Sequence, residues 1–430
     1  MAEWKPIDEL FDFDKGILQS SKCTSGKYTF VTAAEEWKTH ESYTHDCEAL
    51  IFAMAASGSL GRTHYIKGKF IASDLCFILT PKKGLQLDLT FYYRLFNFLR
   101  SDIVKKTATG TSKLAINQTN FGAYKLPYFD YDHQLIFRDK IEKINGISES
   151  FSLGLHDQLA LLKQLRQAVL QEAIEGKLTV EWRKKYPELI SGENHASKLL
   201  EKIKAEKEQL IKEGKIRKEK PLAQIKLEEV PFELPGGWVW CRLGELIVYA
   251  DNFDIQKKLL PSTIINYVDI DSIDNKQHKI AEIKIKKVSE LSSRARRVLK
   301  KGYIVYSTVR PYLENIAFVE EEIKHFIGST GFNVFKALLI DQRYIFNLLL
   351  SPYINKLYKE MMIGFNSPSI TNEQFESTTI SLPPLAEQQA IIAWVERLMA
   401  MIDELEKQVT ERKGQSERLM QSVLREAFSQ

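Results

Sequence analysis

Cysteine is scarce in this chain of 430 residues, and its placement argues against the sites that cysteine usually builds. The four cysteines are widely scattered: Cys23, Cys47, Cys76 and Cys241. None belongs to a Cys-x-x-Cys pair or has a histidine at the spacing of a zinc site. The eight histidines are dispersed as well, and His40 with His45 is more typical of a surface than of a metal pair. We therefore expect reduced thiols and no metal site.

Long apolar runs are also missing. No stretch approaches the ~18 apolar residues that a membrane-spanning helix requires. The first residues, MAEWKPIDELFDF, lack the basic region and the apolar region of a secretion signal. These absences predict a cytoplasmic protein that does not associate with a membrane.

The motifs of common catalytic centres are absent. There is no Gly-x-Gly-x-x-Gly or Gly-x-x-x-x-Gly-Lys-Ser/Thr loop that would hold a nucleotide. The Asn/Asp-Pro-Pro-aromatic motif of amino-methyltransferases is missing, and its nearest string is Ser351-Pro352-Tyr353. A nuclease centre of the Pro-Asp and acid-x-Lys type lacks its first element, because the chain has no Pro-Asp dipeptide. We expect no catalytic residue and no directly bound cofactor.

What is present is an ordinary globular composition, with 44% hydrophobic residues, 27% charged residues and a net charge of +4. The length exceeds what one compact domain usually needs, so two domains with connectors are expected. The basic excess is concentrated between Lys177 and Lys220, where thirteen Lys and Arg face eight Glu. We interpret this stretch as a solvated helix face, with a binding patch as the alternative.

The clearest signal is an internal repeat at a separation of about 254 residues. The aligned segments are residues 116–121 with 370–375, the Leu-Pro steps 126–127 with 382–383, and residues 165–173 with 419–427. Weaker matches, residues 70–73 with 326–329 and Trp4 with Trp240, have drifting separations, and chance similarity is the alternative there. The repeat predicts two copies of one unit, each a globular part followed by a long helix.

Both globular parts predict mixed α and β structure. Short runs rich in β-forming residues, such as residues 49–54 and 303–306, alternate with polar turns. Stretches with helical spacing, residues 89–99 and 344–361, lie between them.

A long helix is predicted after each globular part. Residues 386–428 contain no proline. Their apolar residues recur at spacings of three and four, which is typical of a coiled-coil seam: Val395, Leu398, Ile402, Leu405 and Val409. A helix of this length spans on the order of 60 Å, so it needs a partner helix. The predicted partner is residues 134–178, where Arg166 intrudes into a similar seam of Leu155, Leu159, Leu162 and Val169.

Three segments resemble the conserved regions of the specificity subunits of Type I restriction-modification enzymes: residues 171–179, Glu233–Trp238, and the run Leu382-Pro383-Pro384-Leu385-Ala386-Glu387-Gln388 that continues to Ile392. The resemblance covers essentially the whole chain. It implies an α+β fold with two mixed α/β target-recognition domains in a pseudo-twofold arrangement, separated by two long antiparallel coiled-coil helices. The predicted domains are residues 1–132 and 237–385, followed by helices 133–178 and 386–430, with a charged connector and Pro/Gly linker at 179–236.

The resemblance also implies the partners. Each domain would read one half of a split target in double-stranded DNA, and the helices would act as a ruler and dock two modification (methyltransferase) subunits and, through them, two restriction subunits. S-adenosylmethionine, ATP and Mg would be used by those partners and not by this chain. The first copy has Leu126-Pro127-Tyr128 where the second has Leu-Pro-Pro, so docking on the two sides is expected to differ.

Two loops in each copy are the candidate DNA contacts, because they combine small, polar and basic residues. In the first copy, residues 57–64 and 109–113 contribute Ser59, Arg62, His64, Thr111 and Lys113. In the second copy, residues 307–312 and 364–369 contribute Arg310, Tyr312, Asn366 and Ser367. Arg62 and Arg310 are predicted to contact bases, while Lys113, Asn366 and Ser367 contact phosphates or base edges. A basic cluster of Arg294, Arg296, Arg297, Lys300 and Lys301 suits phosphates.

Three alternatives remain open from the sequence. Each candidate residue taken alone could be an ordinary solvent-facing loop residue. A coiled-coil adaptor or scaffold would bind partner proteins with no preference between DNA sequences. A DNA-modifying enzyme with an unrecognised active site would bind S-adenosylmethionine in isolation.

Overall fold

The computed structural model describes residues 3–56, 58–110, 114–218 and 220–429. For residues 145, 148, 417, 420, 421 and 423–429 it describes the backbone and not the side chains. The chain divides into two compact units, the first formed by residues 1–158 and 408–430 and the second by residues 159–407. Each unit has its own hydrophobic cores.

The elements of the first unit, in chain order, are β1 (Glu3–Pro6), α1 (Ile7–Leu10), β2 (Phe11–Lys15), β3 (Tyr28–Val31), β4 (Lys38–His40), β5 (His45–Ala53), β6 (Thr63–Ala72), β7 (Cys76–Pro81), α2 (Leu89–Thr107), β8 (Ala108–Thr109), β9 (Ala115–Ile116), α3 (Gln118–Gly122), β10 (Lys125–Tyr128) and the first part of the long helix α4 (Tyr131–Ile174).

A six-stranded sheet with the order β2-β7-β5-β6-β3-β4 forms the centre of the first unit. Successive side chains of a strand point to opposite faces, and β5 shows this alternation clearly. Leu50 and Phe52 join the core that includes the aromatic face of α2, whereas Ala49 and Ile51 join a second core on the other side. The sheet is therefore covered on both faces, which explains why the end of β5 is buried throughout.

The elements of the second unit, after the last part of α4, are α5 (Val180–Lys185), α6 (Ala196–Lys212), β11 (Val239–Arg242), α7 (Leu243–Leu246), β12 (Ile247–Tyr249), α8 (Ile255–Lys258), β13 (Ile264–Val268), β14 (Ile273–Asp274), β15 (Lys279–Ile280), β16 (Lys284–Lys287), β17 (Ala295–Val298), β18 (Ile304–Ser307), β19 (Ile316–Phe318), β20 (Phe326–Ser329), β21 (Phe332–Ala337), α9 (Gln342–Leu349), α10 (Pro352–Met361), α11 (Asn372–Glu376), β22 (Thr379–Leu382) and the first part of α12 (Leu385–Ser429).

The predicted repeat is confirmed at the level of strand register. Strands β12-β21-β18-β19 of the second unit follow the same order as β2-β7-β5-β6 of the first. Leu50 lies opposite Leu79 in the first unit, and Ile304 lies opposite Phe335 in the second, so the equivalent strands pair at equivalent residues. The two units are thus two copies of one mixed α/β domain.

The weak match between residues 70–73 and 326–329 is confirmed as a structural equivalence. Thr29 pairs with Phe70 in the parallel β3–β6 ladder, and Asn266 pairs with Phe326 in the parallel β13–β20 ladder. Among the described residues, each unit thus has a parallel ladder at this place beside antiparallel ladders. The match was therefore not a chance similarity.

The alignment of the two Leu-Pro steps is wrong. Leu126 pairs with Lys5, whereas Leu382 pairs with Val239 two places further along the ladder, and Ile380 takes the place equivalent to Leu126. Helix α4 begins at Tyr131 and α12 at Leu385, which keeps the same separation of about 254 residues. The Pro383-Pro384 pair therefore corresponds to residues 129–130. The dipeptide match misled the alignment, because a Leu-Pro step can stand at either place in the strand.

The two long helices pair antiparallel within the second unit. Buried apolar residues of the last part of α4 and the first part of α12 share one core: Val169, Leu170, Ala173, Ile391, Val395 and Ile402. The ion pairs fix the direction, because Arg166 reaches Asp403 (2.6 Å) and Glu406 (3.3 Å) while the segment after α4 reaches Glu387 near the start of α12. The arginine that interrupts the predicted seam thus pairs with acids of the opposite helix.

The charged connector is part of the second unit. Ala196 and Ile203 on one face of α6 are buried in the main core of that unit. Lys204 pairs with Glu245 (2.8 Å), and Lys207 Nζ donates a hydrogen bond to the carbonyl oxygen of Gly244. The helix therefore packs against the domain through an apolar stripe, and its other charged side chains face solvent.

Candidate nucleic-acid interface

The two predicted loops of the second unit lie side by side. Val309 and Ser369 form a β-bridge, and the Ile370 amide donates to the carbonyl oxygen of Thr308 (3.0 Å). These bonds join the loop after β18 to the loop before α11. Residues 307–314 and 363–369 therefore form one surface, which is called the second reading loop pair below.

Arg310 links the two loops. Its amide donates to the carbonyl oxygen of Pro368 (2.8 Å), and its Nη2 donates to the carbonyl oxygen of Asn366 (3.0 Å). The residue is exposed and adopts a left-handed backbone conformation, with φ of 47°. Because a guanidinium has five N–H donors, this contact fixes its position while other donors of the exposed side chain remain accessible to solvent.

A second left-handed residue, Glu314 with φ of 55°, ends the same turn. Its Oε1 accepts a hydrogen bond from Asn355 Nδ2 (2.6 Å), and burial raises the pKa of this carboxyl group. Two non-glycine residues in this sparsely populated region indicate a strained turn, and such strain is common where a loop presents side chains for function. Between them Tyr312 is exposed, as are Asn366 and Ser367 on the neighbouring loop.

The basic cluster near β17 is largely engaged with neighbouring groups. Arg297 donates to the carbonyl oxygen of Phe332 and to Asn252 (both 3.1 Å), and burial lowers the pKa of Arg297. Arg296 lies 3.6 Å from Asp254, and Lys300 lies 3.1 Å from Asp251. Arg296 and Lys300 remain partly exposed, as do Arg294 and Lys301, whereas the guanidinium of Arg297 is committed to the domain.

The first unit contains an equivalent pair of loops. Ala55 and Ala115 form a β-bridge, and the Ile116 amide donates to the carbonyl oxygen of Met54 (2.8 Å). These contacts repeat those of the second reading loop pair at the same separation of about 254 residues. Ser59 lies half-buried in the turn of this loop. Ser57, Thr111, Ser112 and Lys113 lie outside the described residues.

Arg62 and His64 were predicted as DNA contacts, but in the structure both are less exposed than that prediction requires. The strand register places Arg62 at the position of Asn315, while Ala56 takes the position of Arg310. Arg62 is half-buried with Nη2 3.8 Å from Glu35. His64 is only 8% exposed, its ring lies edge-on to Trp37, and burial followed by the charge of Arg62 lowers its pKa. His64 is therefore a buried neutral histidine and is not displayed at the surface.

A fully exposed aromatic residue was missed by the sequence analysis. Phe365 stands in the second reading loop pair with its whole side chain accessible. The sequence carries no signal for this exposure, because a lone phenylalanine is more often part of a core. The only hint is its position between Gly364 and Asn366, both typical of a turn.

The three segments that resemble conserved regions converge at Glu387. This carboxylate is fully buried and accepts hydrogen bonds from Trp238 Nε1 (2.7 Å), Thr179 Oγ1 (2.6 Å) and Arg183 Nη1 (2.5 Å). A buried charge is tolerated only when it is paired and hydrogen-bonded, and here both requirements are met. Glu387 thus ties the start of α12 to the segment that follows α4 and to the start of the second domain.

A buried glutamine repeats at the start of each long helix. Gln134 Oε1 accepts from the amide of Asp88 (2.8 Å), and its Nε2 donates to the carbonyl oxygen of Phe129 (2.7 Å). Gln388 accepts from the amide of Asp341 (3.3 Å) and donates to the carbonyl oxygen of Pro383 (3.0 Å). Each glutamine therefore fixes the aspartate that caps the helix of its own domain.

The sequence profile described as the Type I restriction modification DNA specificity domain matches residues 1–134 and 235–412. The chain belongs to this family. The segment at 382–392 lies within the matched ranges, Glu233–Trp238 lies within them from residue 235 onward, and the segment at 171–179 lies between them. The resemblance predicted from these segments is confirmed.

Individual members of the Type I specificity family show how far the similarity extends. The chain is 31% identical over 276 residues to the EcoAI specificity subunit of Escherichia coli, a match that covers 61% of this chain and 44% of that relative. It is 26% identical over 440 residues to the EcoDI specificity subunit of Escherichia coli, covering 99% of this chain and 88% of the relative. The match thus spans less than half the length of the EcoAI specificity subunit.

Among solved structures, the chain is similar to the HsdS subunit from Thermoanaerobacter tengcongensis. It is 39% identical to the matched part, which covers 46% of this chain and 50% of that one, with a TM-score of 0.41. No described helix of the present chain is long and apolar enough to cross a membrane. Within the part of the chain that the structure describes, no three His, Cys, Asp or Glu side chains are grouped as metal ligands would be.

Proposed function

We propose that the protein is the specificity subunit of a Type I restriction-modification complex. In this role each of its two domains reads one half of a bipartite target in double-stranded DNA. The observation that carries the proposal is the repeated loop pair. Two domains of this family bring the same two loops together by the same bonds, Ala55 with Ala115 and Val309 with Ser369.

The physical argument concerns how a split target is read. Two readers at a fixed separation select half-sites at a set helical phase, about one duplex turn of ~34 Å or nearby. We propose that the paired helices α4 and α12 act as the spacer and dock two modification subunits, which in turn recruit two restriction subunits. S-adenosylmethionine, ATP and Mg are used by those partners, and the chain itself is not an enzyme. The complex acts on DNA in the cytoplasm.

We assign the recognition domains to residues 1–132 and 237–385, with the helices at 133–178 and 386–430 and the connector at 179–236. In the second domain the proposed DNA contacts are the exposed residues Arg310, Tyr312, Asn366 and Ser367. In the first domain they are Ser59, Arg62, Thr111 and Lys113. Arg296 and Lys300 are proposed as phosphate contacts that exchange their acidic neighbours for the DNA backbone. His64 is not retained because it is buried, and Arg297 is not retained because its guanidinium is bonded to Phe332 and Asn252.

The decisive experiment is methylome sequencing of a host that expresses the chain with its modification subunits. The expected result is one methylated motif made of two short half-sites separated by a spacer of fixed length. A host that expresses the modification subunits alone is the control. Methylation of a continuous motif, or of none, while the assembled complex is present would contradict the proposal and favour an adaptor without sequence preference.

A further inference from the structure

The second reading loop pair carries an exposed apolar patch. Phe365 is 102% exposed, Ile363 is 63% exposed, and Tyr312 and Leu313 on the adjoining loop are 38% and 39% exposed. A single exposed apolar residue is common and needs no explanation. Here four such residues are concentrated on two loops that are bonded to each other, and a concentration of exposed apolar side chains on a protein surface is typical of an interaction site.

The loop that carries Phe365 has a defined structure. Ile363 and Ser369 exchange hydrogen bonds of 2.9 and 3.0 Å, which close residues 364–368 into a tight loop. Gly364 has φ of 106°, a conformation that side chains rarely adopt, so glycine sets the turn that places Phe365 at its tip. Arg310 holds the far side of the loop through Asn366 and Pro368. The phenyl ring is thus displayed by a braced loop.

The chemistry around Phe365 selects the kind of ligand. The ring offers no hydrogen bond, so its contact must be with an apolar surface. Beside it are the guanidinium of Arg310 and the polar side chains of Asn366 and Ser367, which are suited to base edges and phosphates. DNA presents both kinds of surface together, since thymine carries a methyl group in the major groove and an unstacked base step exposes its faces.

We propose that Phe365 is a specificity-determining residue, whose ring contacts an apolar base surface in the half-site read by the second domain. This inference rests on the proposed function and deepens it. The apolar surface is either a thymine methyl group or the face of a base at an unstacked step.

The test uses the complex of the full chain with its modification subunits, bound to duplexes that carry the motif found by methylome sequencing. Phe365→Ala should reduce the preference for the motif over a scrambled duplex on the order of tenfold, as the loss of one good base contact does. Binding to the scrambled duplex and assembly of the complex should stay unchanged. Phe365→Leu keeps apolar contact and should retain part of the preference.

Leu227→Ala is the matched control, because Leu227 is an exposed apolar residue (89%) in the connector. It should leave the preference unchanged.

Two DNA variants separate the two kinds of base surface. Replacing thymine by uracil in the half-site removes the methyl group and should weaken the wild type but not Phe365→Ala if the methyl is contacted. If a base step is unstacked, the fluorescence of a 2-aminopurine probe in the half-site should increase on binding of the wild-type complex but not on binding of Phe365→Ala.

Three results have distinct meanings. Full motif preference in Phe365→Ala would overturn the inference while leaving the specificity role intact. Loss of assembly with unchanged DNA preference would overturn it in favour of a protein contact. A wild-type complex with no motif preference at all would instead contradict the proposed function itself.

Discussion

The two domains share the bonds that join their reading loops and differ in the side chains that those loops display. Ala55–Ala115 and Val309–Ser369 are equivalent bridges, yet Ala56 stands where Arg310 stands in the second copy. Backbone bonds depend little on side-chain identity, so the framework can be kept while the surface varies. This difference teaches that the side chains on the loop surface can change while the fold that holds the loops together stays the same.

At the starts of the two long helices, by contrast, the copies differ inside the fold: equivalent residues differ in their burial and in their hydrogen-bond partners. His133 is exposed and hydrogen-bonds to Asp130, while Glu387 at the equivalent place is buried under Trp238, Thr179 and Arg183. The second copy thus has a buried carboxylate at the position where the first copy has an exposed histidine.

The largest effect is expected from Glu387→Ala. Removing the carboxylate leaves the guanidinium of Arg183 and the indole N–H of Trp238 without their acceptor, and breaking a buried pair in this way costs about 3–5 kcal/mol. Urea unfolding of the chain, kept soluble in the complex if necessary, measures the loss. His133→Ala is the matched control at the equivalent position and should change stability by less than about 1 kcal/mol. Equal effects would show that the asymmetry is not energetic.

Gln134→Ala and Gln388→Ala test the element that the two copies share. Each variant leaves a backbone amide without its acceptor, buried for Asp88 and half-buried for Asp341, and loss of the acceptor of a buried amide costs about 1–3 kcal/mol. The bond from Asp88 is 2.8 Å and that from Asp341 is 3.3 Å, so Gln134→Ala should be the more damaging of the two. Gln164→Ala, at an exposed position of α4, is the control for thermal unfolding. A reversed order would contradict the assigned geometry.

Arg310→Ala tests the element in which the copies differ. Loss of one base contact should relax specificity at the second half-site by roughly tenfold, leaving the first half-site and the assembly of the complex intact. Competition binding with duplexes mutated in one half-site at a time gives the readout. Arg217→Ala, an exposed arginine of the connector, is the control. Relaxed specificity at both half-sites would argue against one domain per half-site.

The smallest effect concerns pH. Burial lowers the pKa of His64 in the first domain, so the unfolded chain takes up the proton more readily than the folded one. The stability contributed by neutral His64 is therefore present above the unfolded pKa of about 6.5 and is lost as the pH falls below it. His64→Gln should flatten stability against pH between about pH 5 and 7, as measured by unfolding midpoints. An unchanged slope would exclude His64 as the titrating group.

The sequence predicted the architecture better than the site. The repeat was visible because residues 116–121 and 370–375 form the same bridge, cap and short helix, whose geometry restricts the residues allowed. Even the weak match of Phe70 with Phe326 was meaningful, since both stand in the same parallel ladder. The Leu-Pro match failed because two residues do not define a strand register.

The site was harder to predict because exposure depends on the whole fold. Four loops were predicted as DNA contacts, and β-bridges join the chain segments beside them in pairs. His64, however, is buried in its domain, the guanidinium of Arg297 in the basic cluster is bonded to Phe332, and the exposure of Phe365 was not anticipated. Polar residue type indicates where a loop lies, but only packing decides which side chains face outward.

The glutamines at the helix starts have a consequence for engineering new specificities. A chimera that joins the recognition domain of one relative to the long helix of another creates its seam where Gln388 reaches back to Asp341. If the grafted recognition domain lacks a residue that matches Asp341, this hydrogen bond is lost even though the loops of the domain fold correctly. The junction of such a chimera should therefore lie beyond the second turn of the helix, so that the start of the helix comes from the same relative as the domain that it anchors.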